Sequence, residues 1–248
     1  MKTVIPFKQY ILNYYYKPLE WMSQDELSHL QNQLDIVNKE SGKNFNYGIF
    51  DPHNRNNFYK NSMICVMELD GHPAGFFYNV IFEGELNIVH QGLVLISKNI
   101  GENLLYFPYV NSNKLIREKI GDFYITSISS VPSIIGEIHN IFDNVYPSPF
   151  VNQIKPPQKE YSQVALKVFE DYVKRFFPFP EEVSFNKRRF VIESKAKEMG
   201  FERDIRNLPR DSRFEVNVFC QYWLDYSKNE DIIQVGIFNQ KTEEKNKV

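Results

Sequence analysis

The sequence predicts an α/β protein: a mixed, mostly antiparallel sheet flanked by helices, with a helix-rich extension at its C-terminal end. Three observations lead there. Aromatic residues make up 15% of the chain, including 21 Phe and 15 Tyr, a content that favours strands and aromatic-lined grooves over a helical bundle. The turn dipeptides Asp70-Gly71 and Glu83-Gly84 separate three β-rich runs, the pattern of an antiparallel meander. Ser23-Gln24-Asp25-Glu26 is a capping box followed by Leu27, Leu30, Leu34 and Val37 at helical spacing, so helices and strands share the chain.

Taken in order, the capping box starts a helix over Gln24–Glu40, and Gly42 stops it. An Asn-rich loop (Asn54, Asn56, Asn57, Asn61) follows, and then the meander: Met63–Leu69, Ala74–Phe82 and Leu86–Ile96. Leu104, Leu105, Leu115 and Ile116 continue as a helix that Gly121 ends, with a kink expected at Pro108. Asp122–Ser130 alternates towards a strand, Val131-Pro132 interrupts it, and a short helix runs over about Ser133–Phe142. Pro147, Pro149, Pro156 and Pro157 fall close together and mark a subdomain boundary or bent connector. The chain therefore divides into a core over 1–150 and a region over 151–248 that completes or extends the same domain.

Beyond the prolines, Ala165, Val168, Phe169, Tyr172 and Phe176 form a helix stripe that Pro178 terminates. Asn186–Met199 fits a helix, while Phe185–Ile192 taken alone fits a strand equally well. Val216–Tyr226 reads as a helix and Ile232–Phe238 as a last strand before a charged, frayed tail.

Composition narrows the function classes. With 248 residues, 42% hydrophobic and 24% charged, the chain can bury a sizeable core and is neither disordered nor collagen-like. Lys and Arg total 29 against 31 Asp and Glu, which gives no electrostatic reason to expect nucleic acid or an anionic membrane as the main partner. No run approaches a membrane span, and Met1–Tyr16 lacks the apolar core of a signal peptide. Cys65 and Cys220 sit in apolar surroundings without partners at metal-ligand spacing, so buried reduced thiols and a cytoplasmic location are expected. His29, His53, His72, His90 and His139 are scattered singly, and no metal site is expected.

A strand that runs into a Gly-containing turn and opens a helix exposes unpaired backbone N–H groups, which suit a pyrophosphate. Here the stretch is Lys98-Asn99-Ile100-Gly101-Glu102-Asn103. It resembles the loop between the fourth strand and third helix of the GNAT superfamily of acyl-CoA-dependent N-acyltransferases, whose pattern is Gln or Arg, two residues, Gly, one residue, then Gly or Ala. Gly101 matches; Lys98 replaces Gln or Arg, and Asn103 departs from the small final residue. The resemblance covers roughly residues 20–145. It implies acetyl-CoA or another acyl-CoA as co-substrate, with the backbone of Val94, Leu95 and Ile96 along the pantetheine arm and Lys98, Asn99, Ile100, Gly101, Glu102 and Asn103 around the pyrophosphate. Ser129, Ser130 and Ser133 would then stand at the fifth strand's exit, near the thiol.

Acyl transfer to an amine needs a base and an acid for the leaving thiolate. The polar candidates are Glu85, His90 and Gln91 of the third run, with Tyr146 after the following helix. Among these His90 has the ordinary pKa closest to neutrality, and strict alternation would put it on one face with Val94 and Ile96. The acceptor expected is a small or partly apolar amine, because a basic tail would seek a strongly acidic groove and a polyanion a large basic face. The alternative is a catalytically silent module of the same fold that binds a peptide or small ligand. The basic residues between Asn186 and Arg213 could hold an acidic substrate, the cofactor's 3′-phosphate or RNA, or could simply be a solvated face laced with Glu193, Glu198, Glu202, Asp204 and Asp211.

Overall fold

The computed structural model describes residues 1–98, 106–150, 159–195, 197–199, 201 and 204–245. The chain forms two compact units, Met1–Gly121 and Asp122–Val248, each an antiparallel sheet flanked by helices. Pro147 and Pro149, part of the stretch that the sequence marks as a subdomain boundary or bent connector, fall within the residue range of the second unit.

In the first unit the strands lie side by side in chain order: β1 (Lys2–Phe7), β2 (Tyr10–Tyr16), β3 (Ser62–Leu69), β4 (His72–Phe82) and β5 (Ile88–Ile96). Every pairing is antiparallel. The expected meander is β3 to β5, and its first turn has Asp70 and Gly71 both at positive φ, 51° and 78°, as a two-residue hairpin turn requires. The β1–β2 hairpin carries no such signal, since Lys8 takes the positive φ of its turn.

Helix α1 (Gln24–Glu40) is capped reciprocally by Ser23 and Glu26, and Gly42 follows its end at φ +74°. The Asn-rich stretch is not a loop but helix α2 (Pro52–Lys60), started by the Asp51 side chain on the His53 N–H with Pro52 in the first turn. Phe50 meets Phe76 and Phe58 meets Tyr78 edge-on on one face of β4. Helix α3 (Tyr106–Ile120) covers the other face, with Tyr109 against Phe77 and Ser112 accepting from the Asn79 amide at 2.9 Å. Pro108 sits in the first described turn of α3, where a missing N–H costs little, and its carbonyl accepts from the Tyr14 hydroxyl. With helices on both faces, Ile64, Cys65 and Val66 of β3 are all fully buried, which explains a continuous apolar run instead of an alternating one.

In the second unit, β6 (Phe123–Ser129) pairs along one edge of β10 (Glu230–Phe238). The other edge carries β9 (Val191–Glu193) and β7 (Asp143–Tyr146), with β8 (Ser184–Asn186) outside β9. The open choice at 185–192 thus resolves to a hairpin, and the helix through Met199 does not form. Helix α4 (Pro132–Ile141) starts on Pro132. Helix α5 (Lys159–Val168) continues through a π-turn at Phe169–Val173 into α6 (Lys174–Phe176). Helix α7 (Phe214–Trp223) packs Val216 and Cys220 against Ile135, Val191 and Ile232. The charged tail is helix α8 (Gln240–Lys245), tied down by the Thr242 hydroxyl on the Asp143 carboxylate at 2.8 Å. Among the described residues after 150, helix outweighs strand, as the sequence predicts, but β8, β9 and β10 contribute to the sheet as well.

Candidate functional site

Strand β5 carries the residues the sequence singles out, and its register changes what they face. Phe77 pairs with Val94 and Asn79 with Gln91, so Tyr78 alone stands opposite two residues, Gly92 and Leu93. This is a β-bulge. Opposed residues share a face, so Ile88, His90 and Leu95 lie with Phe76 and Val80 on the α1/α2 side. Val89, Gln91, Val94 and Ile96 lie with Phe77 and Asn79 on the α3 side. The extra residue breaks the strict alternation expected from the sequence: His90 and Val94 point to opposite faces. Glycine at 92 makes the bulge possible, because the ring of Tyr78 occupies the space a Cβ would need.

His90 is 1% exposed, and desolvation pushes its imidazole down to about 3. At neutral pH the ring is uncharged and of low basicity. Glu85 sits at the other end of the strand, exposed on the 83–87 connection. Val94 and Ile96 are half-buried and Leu95 is buried.

At its exit β5 becomes polar and open. The Ser97 N–H donates to the Ala74 carbonyl at 3.0 Å, and its hydroxyl donates to Glu40 Oε2 at 2.9 Å. Glu40 Oε1 meets His72 Nε2 at 2.9 Å. Ser97 first, then His72, hold the Glu40 carboxyl below its ordinary value. The Lys98 ammonium reaches back over Gly42, lying 2.6 Å from where a Cβ would project there, so a cation sits at the negative end of α1. Glu40, Asp70, His72, Ser97 and Lys98, with Leu69 and Ala74, line an open cleft of about 540 Å³. Asn99, Ile100, Gly101, Glu102 and Asn103 lie outside the described residues.

The remaining candidates belong to the second unit. The Ser129 hydroxyl accepts from the Val131 N–H at 3.0 Å, closing a local turn. The Ser130 carbonyl accepts from the Tyr226 hydroxyl, and the Ser133 N–H donates to the Pro209 carbonyl. Tyr146 packs edge-on against Phe190, and burial raises its hydroxyl. Ser129 pairs with Ile232 and Tyr146 with Val235, on opposite edges of β10. That leaves the two backbones roughly 14 Å apart, so the serine turn and Tyr146 do not share a contact through the sheet. Of the basic segment, Arg189, Lys195, Arg206 and Arg213 are ion-paired with Glu230, Glu182, Asp204 and Asp211.

Sequence reasoning missed Glu40 and His72. They lie 57 and 25 positions from Ser97 in the chain, and only the fold brings them together. Among the described residues no group of three or more His, Cys, Asp or Glu could hold a metal ion, and no helix is long and apolar enough to cross a membrane. Neither a family model nor a curated protein matches this chain.

Proposed function

We propose that the protein is an acyl-CoA-dependent N-acyltransferase of the GNAT type that acts on a small or partly apolar amine by direct transfer. The observation that carries the reading is the path around Lys98. A bulged, half-buried strand ends at a polar cleft and leads to α3 and then β6, and bulges concentrate beside active sites. In this reading the amine nitrogen attacks the thioester carbonyl, a C–N bond forms, the C–S bond breaks, and the thiolate leaves. The amine's proton passes to water, because the His90 ring, sealed and held near 3, is a poor acceptor for it. Lys98 and the backbone at the exit of β5 take the anionic end of the cofactor.

A second reading, a catalytically silent binding module of the same architecture, draws its support from that sealed imidazole. Titration with acetyl-CoA and longer acyl-CoAs, followed by thiol release against an amine panel, separates the two. Saturable binding with turnover supports the enzyme. Binding without turnover on any amine supports the module, and turnover confined to basic protein substrates contradicts the proposed acceptor class.

A further inference from the structure

We infer that Glu40 is a positioning residue for the acyl-CoA's phosphates, an inference that rests on the proposed function and sharpens it. The last turn of α1 grips the exit of β5 at two points. Glu40 accepts the Ser97 hydroxyl at 2.9 Å while engaging His72 at 2.9 Å on its other oxygen. Two residues on, Gly42 offers a bare backbone surface on which the Lys98 side chain lies. A carboxylate with one oxygen committed to the strand exit and the other to the β3–β4 hairpin fixes where the chain leaves the sheet. It thereby fixes where the Lys98 cation is presented.

The sign of the effect makes the inference testable. Glu40 is an anion lining the cleft, so simple electrostatics says that neutralising it tightens binding of a polyanionic ligand. Positioning says the reverse. Glu40→Gln keeps one acceptor oxygen but replaces the other with a donor and removes the charge, so neither grip on Ser97 or His72 stays charge-assisted. Acetyl-CoA should then bind about tenfold more weakly, with KM raised and kcat nearly unchanged. Ser97→Ala should reproduce the loss, Ser97→Thr should restore near wild-type affinity, and the double variant Glu40→Gln/Ser97→Ala should lose no more than either alone. Unfolding midpoints of each variant confirm that the fold persists.

Calorimetry on the wild-type chain comes first. If it shows no acetyl-CoA binding, the proposed function falls and takes this inference with it. If the wild type binds while Glu40→Gln binds equally or more tightly, the inference alone is overturned. Additive losses in the double variant would likewise overturn it.

Discussion

The middle and the exit of β5 are a few residues apart on one strand, yet they hold their polar groups in opposite regimes. At His90 the strand is covered, and the imidazole is stripped of water and driven down to about 3. At Ser97 and Lys98 the strand opens into a cleft, where Glu40 keeps its charge because neighbouring donors stabilise it. Desolvation by burial disfavours the ionised form at His90; hydrogen bonds at the open edge favour it at Glu40. Position along β5 is therefore a poor guide to chemical role, and the environment of each side chain is the better one.

The sharpest way to break the contrast is to destroy the bulge that separates the two regions. Gly92→Val drives a branched side chain into the Tyr78 ring and should cost about 3 kcal/mol, the upper end for overpacking, read as a fall in the urea midpoint. Adding Tyr78→Ala should recover part of that loss. No recovery would mean that Gly92 matters through its backbone alone.

Next in size is the pH dependence that the buried imidazole imposes. The folded pKa of His90 lies below its ordinary value of 6.5, so the unfolded chain takes up a proton first as pH falls. His90 thus supports full stability above pH 6.5, and stability declines between 6.5 and 3 at up to about 1.4 kcal/mol per pH unit. His139, lowered to about 4 mainly by burial, acts in the same direction. Urea titrations at pH 7 and pH 5 should show the decline, and His90→Gln should flatten it. The same variant should leave turnover within about threefold of wild type. A loss of about 10²-fold in a folded His90→Gln protein would instead make the imidazole a base.

A smaller effect is expected at the exit. Lys98→Ala should weaken acetyl-CoA binding about three- to tenfold and reduce its salt dependence, because one phosphate-directed cation is lost from an exposed site. An affinity unchanged at low salt would remove Lys98 from the binding surface. Smallest of all, Glu85→Gln on the exposed β4–β5 connection should change stability by less than about 0.5 kcal/mol and leave turnover unaltered.

Much of the architecture was legible because local rules and global fold agree. Ser23 and Glu26 place the start of α1, Asp70-Gly71 places a hairpin, and Gly121 ends α3 at φ +77°. Legibility failed where tertiary context decides. The β1–β2 hairpin turns on Lys8 without a Gly or Asn to announce it, and α2 grows from an Asn-rich stretch because Asp51 and Pro52 open it. Strand β5 was legible, but period-two counting put His90 and Val94 on one face, since a bulge has no fixed sequence mark beyond a glycine. Glu40 was out of reach, as nothing local links the end of a helix to Ser97 across 57 positions.

The central claim, that the exit of β5 receives an acyl-CoA, is tested most directly by isothermal titration of the full chain with acetyl-CoA and with longer acyl-CoAs at low and moderate salt. Saturable binding that weakens as salt rises is the predicted result. An absence of saturable heat with every acyl-CoA, at protein concentrations where the chain is folded, would contradict it.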